Sequence, residues 1–140
     1  MCDRKYDCWH KDSLNKFGLL SNKHMREYFN KLSNSRNNLE QKNFELSTTS
    51  EAVTIIQNVQ EYRKSLSKWE AEKKLFNECE RMLERQRYHF PDNWLYSDNI
   101  EGEYSSFVEI LQRKESLIKK QVISYKFLII KRQIKSYFYS

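Results

Sequence analysis

Two glycines and one proline in 140 residues leave almost nothing from which to build tight turns. Strands joined by hairpins need such residues at each reversal, so a β-rich fold is excluded. Long apolar runs are missing as well. The longest, FLII at Phe127 to Ile130, falls far short of the ~20 residues a spanning helix requires, and no membrane insertion is expected. The N-terminal MCDRKYDCWHKDS is charged and has no apolar centre, unlike a secretory signal. The three cysteines, Cys2, Cys8 and Cys79, are odd in number and widely spaced. They form no disulfide framework and suit a reducing cytoplasm.

Signals for chemistry are equally sparse. A phosphate-binding loop needs clustered glycines and a lysine at a helix start, whereas Gly18 and Gly102 stand alone. His10, His24 and His89 are scattered. Cys2, Cys8 and His10 lack a fourth metal ligand and fit no zinc spacing, so they read as ordinary surface and seam residues. Cys79 has no neighbouring histidine to activate it and reads as a small half-buried apolar group. Glu101 and Glu103 flank Gly102 near a helix start, where the helix dipole alone accounts for acidic residues. No catalytic, cofactor or metal residue is therefore assigned.

Charge is unevenly placed. The formal net charge is +6. Eight of the 25 Lys/Arg but only one of the 19 acids, Glu115, lie from Gln112 onward. The body is near neutral and the excess belongs to the C-terminal end. A basic helix with Tyr125, Phe127, Tyr137, Phe138 and Tyr139 could touch nucleic acid or a membrane surface. No base-stacking sheet or groove-reading motif accompanies it, so a solvated helix is the preferred reading and no nucleic-acid partner is assigned.

What is abundant is helix-forming sequence. Residues 6–42 carry Leu14, Phe17, Met25, Tyr28, Leu32 and Leu39 at steps of three, four and seven, with Leu20 and Phe29 widening the stripe. Gly18 falls inside it, a weakness of about 1 kcal/mol relative to alanine. A break follows at 43–50, where Thr48 and Glu51 match a capping box. Across 51–87, Ile55, Tyr62, Trp69, Phe76 and Leu83 lie seven apart. Ala52, Val59 and Leu66 fill the alternate seam position until it turns to Lys73 and Glu80. This is a coiled-coil-like seam of about five heptads, roughly 55 Å long. A third helix spans about 100–135, with Phe107, Leu111, Ile118, Val122, Tyr125 and Leu128 at helical steps. The expected fold is all-α: an elongated, spectrin-like antiparallel three-helix bundle.

The stretch FPDNWLYSDNIEGEY, residues 90–104, holds the only proline and one of the two glycines. Pro91 is expected to end helix two by forcing the residues before it to be extended. Asp98 or Asn99 is placed to cap helix three. Phe90, Trp94, Leu95, Tyr96 and Ile100 are too apolar for a free loop. The connector Phe90, Pro91, Trp94, Leu95, Tyr96, Asp98, Asn99, Ile100 and Gly102 therefore reads as a structural plug packed on the bundle end or on a neighbouring bundle. A ligand-binding patch is the sharper alternative.

Several separated blocks now point to a family. RMLERQRYHFPDNWLYSDNIEGEYSSFVEILQRKES resembles the tail of the cytoplasmic dynein heavy chain, where the pattern runs through an aromatic-proline step, then WLY and DNIEGEW. YDCWHKDSLNKFG, LSNSRNNLEQ and STTSEAVTIIQNVQ resemble that tail in the same order. The likeness covers about residues 6–122. Tyr104 stands where the family pattern has tryptophan. After Val122 the chain departs into ISYKFLIIKRQIKSYFYS, as expected of a truncated or misread reading frame. The domain reading is thus a tail helical-bundle segment over 1–122 and a divergent basic and aromatic extension over 123–140.

The resemblance implies a non-catalytic part of a minus-end-directed microtubule motor, located in the cytoplasm on the microtubule cytoskeleton. It covers tail sequence approaching the linker and none of the AAA+ ATPase or microtubule-contacting parts. It implies as partners the rest of the heavy chain and the dynein intermediate and light intermediate chains, whose main sites lie further toward the N-terminus. A half-exposed seam would favour self-association. The alternative is a stand-alone coiled-coil interaction protein whose basic C-terminal helix binds an acidic partner.

Overall fold

The structure, a computed structural model, describes residues 2–42 and 49–139, apart from the side chains of residues 2–9, 49, 124–129 and 136–139. Three α-helices account for nearly all of it: α1 (Cys2–Gln41), α2 (Thr49–Arg85) and α3 (Ser97–Tyr139). They form an all-α bundle, and no strand occurs among the described residues. The Thr48 half of the expected capping box lies outside the described residues.

Side-chain pairs fix the directions. His10 meets Gln86, Tyr28 meets the Trp69 carbonyl and Asn38 meets Tyr62, so α1 and α2 run antiparallel. Lys73 meets Glu101 and Arg63 meets Glu115, so α2 and α3 are also antiparallel. Arg36 pairs with Glu103, and Lys114 Nζ donates to the Lys42 carbonyl, which makes α1 and α3 parallel.

The seven-residue ridge of α2 points inward. Ile55, Val59, Trp69 and Leu83 are buried, and Tyr62, Leu66 and Phe76 pack against that core. Met25, Tyr28, Leu32 and Leu39 answer from α1, and Ile100, Phe107, Ile110 and Leu111 from α3. Phe107 is fully buried, with ring centres 5.5 Å from Tyr62 and 5.2 Å from Trp69. Each such side chain contributes about 1.5–3 kcal/mol by leaving water. Tyr28 is buried but satisfied, donating its hydroxyl to the Trp69 carbonyl at 2.6 Å. Burial first, then the Tyr104 phenol and the Glu72, Glu101 and Glu70 carboxylates, push its phenol well above the ordinary tyrosine range.

Two expectations need correction here. Phe17 and Leu20, placed in the inward stripe of α1, are exposed. The reason is angular position. At about 100° per residue Phe17 and Leu20 stand roughly 80° and 140° round α1 from Met25, whereas Leu14 and Gly18, on the same turns, lie within about 20° of it and are covered, Leu14 by the core and Gly18 by the Tyr88 ring. The stop of α2 also precedes Pro91. The Tyr88 amide donates to the Leu83 carbonyl at 2.9 Å and the Arg87 amide to the Glu84 carbonyl at 3.0 Å. Arg87 has a φ of 57°. This is a Schellman motif with a left-handed residue at C′, a position that usually carries glycine. A β-carbon there costs about 1 kcal/mol. Arg87→Gly is accordingly expected to raise stability by about 0.5–1 kcal/mol, read as a higher urea midpoint at unchanged slope. A lower midpoint would show that the arginine side chain contributes more than its backbone strain removes.

Candidate functional site

The junction between α2 and α3 is the most elaborately built part of the molecule. After the Schellman stop the chain runs extended through Phe90 to Pro91. It then turns, with the Trp94 amide donating to the Pro91 carbonyl at 3.0 Å. That turn drives the Trp94 indole into the core, where it is 5% exposed. Tyr88, Phe90 and Trp94 pack edge to face, with Phe90 and Trp94 centroids 4.9 Å apart. The offset geometry suits the ring quadrupoles and adds to the area buried.

Two polar side chains hold this wedge. Glu80, buried on α2, accepts from the Trp94 Nε1–H at 3.0 Å and from the Ser97 amide at 3.0 Å, both on Oε1. Its Oε2 accepts from the Ser97 hydroxyl at 2.5 Å. A carboxylate contributed by one helix thus caps the first free amide of the next. Across the junction, buried Asn22 of α1 grips Leu95 at two points. Its Nδ2 donates to the Leu95 carbonyl at 3.0 Å, and its Oδ1 accepts from the Leu95 amide at 3.3 Å. Side chains of α1 and α2 therefore bond to one short connector and, through Ser97, to the first residue of α3. A buried carboxylate is tolerable only with such a set of donors, and no described buried side-chain polar atom lacks a partner.

The residues named from sequence fall into two groups. Phe90, Trp94, Leu95 and Ile100 belong to the packed wedge or the core beneath it. Pro91 sits half-buried at the turn. Tyr96 is 45% exposed, with its ring 6.0 Å from that of Phe90 between centroids. Asp98 and Asn99 lie exposed within the first turn of α3 rather than before it. The capping expected of them is supplied by Glu80, because α3 starts at Ser97. Gly102 is exposed, and a β-carbon there would meet nothing within 4 Å.

Sequence reasoning gave Asn22 and Ser97 no role, read Glu80 as a place where the seam turns polar and read Gly18 as a weakness of helix one. Gly18 is where α1 admits the Tyr88 ring; a β-carbon would stand 2.6 Å from the ring carbon Cζ and its hydroxyl oxygen. The two glycines should therefore respond in opposite directions. Gly102→Ala is expected to stabilise by about 0.5–1 kcal/mol through helix propensity. Gly18→Ala is expected to destabilise by about 1–3 kcal/mol through overpacking. Thermal melts of the two variants check this, and a common sign of shift would contradict it.

Further along the junction, Lys73 pairs with Glu101 at 3.0 Å and lies 4.3 Å over the Tyr104 ring. Burial, then Glu70 and Glu101, push the Tyr104 phenol up. Arg36 holds Glu103 at 2.7 Å. Burial and Glu78 push the Cys79 thiol up, which lowers its thiolate fraction. Among the described residues no group of His, Cys, Asp or Glu is arranged to hold a metal. The side chains of Cys2 and Cys8 lie outside the described residues, and His10 contacts Gln86. No helix searched is long and apolar enough to cross a membrane.

Fold and junction together define a class: a helical-bundle segment whose polar groups are spent on fixing helix against helix. No family model matches the chain. Individual proteins do. It is 47% identical over 120 residues to the cytoplasmic dynein heavy chain of Drosophila melanogaster, 40% to that of Dictyostelium discoideum and 39% to that of Caenorhabditis elegans. Each match covers 86% of this chain. The chain belongs to the cytoplasmic dynein heavy chain family. It spans only 2–3% of the length of these relatives, and the AAA+ ring of the full-length family is not part of it.

Proposed function

We propose that the chain is a non-catalytic, force-transmitting segment of a dynein heavy chain tail, in the region approaching the linker. Residues 1–122 form that segment and 123–140 a divergent basic extension. The segment works within the cytoplasmic, microtubule-associated dynein complex and contributes to microtubule-based movement mechanically rather than chemically. Its partners are the remainder of the heavy chain, with intermediate and light intermediate chains bound nearby.

The observation that carries the reading is the Glu80–Trp94–Ser97 clamp with Asn22 on Leu95. A hinge between α2 and α3 would let the bundle fold up under load. A junction bonded to α1, α2 and the first residue of α3, and plugged by Phe90, Pro91, Trp94, Leu95 and Ile100, holds their directions. Backbone hydrogen bonds and the seven-residue seam then carry tension along the axis.

The test is a chimera: a Drosophila heavy chain carrying this segment in place of its own matching 120 residues. Glu80→Ala with Trp94→Ala in that chimera should leave ATP turnover unchanged and lower the stall force in an optical trap. An unchanged stall force would sink the mechanical reading. A loss of ATP turnover would point to a role in the motor's chemistry instead.

A further inference from the structure

The C-terminal part of α3 outruns the bundle. Lys114 is already level with the end of α1, through its bond to the Lys42 carbonyl. Continuing the Arg63–Glu115 register antiparallel, α2 begins roughly level with residue 129 of α3. Beyond that point α3 has neither neighbour beside it. Ile123, Ile130 and Ile134 are 66%, 52% and 49% exposed. At about 100° per residue these three fall within ~40° of one another, roughly opposite the line of Phe107, Leu111 and Ile118 that faces the core. They form a ridge on the outer side of the helix, with the spacing of a coiled-coil seam.

The charges beside the ridge have one sign. Lys119 and Lys120 are exposed on either side of Ile123, and Lys135 lies exposed further round the helix. No acidic residue follows Glu115, which Arg63 already engages at 2.6 Å. We infer that this ridge is a docking site for an acidic amphipathic helix of another polypeptide, whose apolar seam covers Ile123, Ile130 and Ile134 while its flanking carboxylates face the lysines. The inference rests on this element alone and does not depend on the mechanical role of the junction.

The same features weigh against other occupants. A second copy would bring basic flank against basic flank, a like-charge arrangement that costs affinity. Steps of seven and four between the three isoleucines are those of a seam that meets one helix.

The test uses the full chain and a labelled synthetic helix with leucine at a and d and glutamate at e and g. Fluorescence anisotropy should show saturable binding, at least about tenfold tighter than for the same helix with lysine at e and g, and weakened by added salt. Ile130→Asp with Ile134→Asp should reduce it by about tenfold or more with no change in the thermal melt, since both side chains are exposed. Ile130→Ser with Ile134→Ser should act in the same direction without adding charge. Equal binding of the lysine helix, or binding unaffected by both variants, would overturn the inference. So would a concentration-dependent dimer by sedimentation that the variants abolish, or binding to phosphatidylserine vesicles in place of the acidic helix.

Discussion

Replacing Glu80 by alanine should destabilise the protein by about 2–4 kcal/mol, although the residue makes no salt bridge. The change leaves the Trp94 Nε1–H and the Ser97 amide buried and without their acceptor. Each such group costs about 1–3 kcal/mol. The Ser97 hydroxyl suffers less, because Asn77 Oδ1 lies 3.4 Å away and can take its proton. Glu80→Gln is the informative control. Its amide oxygen can keep both N–H donors, and its NH2 can face the Ser97 oxygen, so a loss of only about 1 kcal/mol is expected. Urea unfolding followed by circular dichroism gives both values. If Glu80→Ala costs less than Glu80→Gln, hydrogen-bond satisfaction is not what holds the junction.

Trp94→Ala should be the costlier change, at about 3–5 kcal/mol, the usual range for emptying a buried tryptophan site. The Tyr88 and Phe90 rings would lose their edge-to-face partner. Glu80 would lose one of its donors. At about 2–4 °C per kcal/mol for a chain near this size, the melting temperature should fall by about 10 °C. Trp94→Phe separates the two losses: it keeps most of the apolar area, removes the N–H and should cost about 1–2 kcal/mol. A melting curve unchanged by Trp94→Ala would mean that the connector does not anchor the bundle. Glu80 and Trp94 are in direct contact, so their effects should not add.

Much of this fold was legible in the sequence, for a physical reason. A ridge repeating every seven residues can be buried only against another helix, so Ile55, Tyr62, Trp69, Phe76 and Leu83 announced a bundle. The crowd of apolar side chains around the only proline announced a packed connector. Glu80 was harder to read. It follows Leu66 and Lys73 at steps of seven, and a charge on a seam looks like the seam's end. Its use emerges only when residues 14 and 17 positions later return to meet it. That signal was available as a charged residue at a seam position next to a connector able to supply donors. Asn22 gave none, because its partner Leu95 is 73 residues away and bonds through its backbone.

The misreadings have separate causes. Phe17 and Leu20 follow core residues at helical steps, but they stand at the edge of the stripe, and only its centre, marked on those turns by Leu14 and Gly18, is covered. Asp98 and Asn99 have the chemistry of caps, but Glu80 reaches the helix start first. Gly18 looked like a weakness in α1 because its reason for being glycine is the Tyr88 ring, contributed from beyond the end of α2.

In this account a connector with the composition of a loop behaves as part of the core. Native-state hydrogen exchange tests that directly. The Leu95 and Ser97 amides and the Trp94 indole should exchange only through global opening, with free energies within about 1 kcal/mol of the Phe107 and Leu111 amides. Exchange of those three groups as fast as the exposed Asp92 and Asn93 amides would show the junction opening on its own, and a junction that opens alone cannot hold three helices in line.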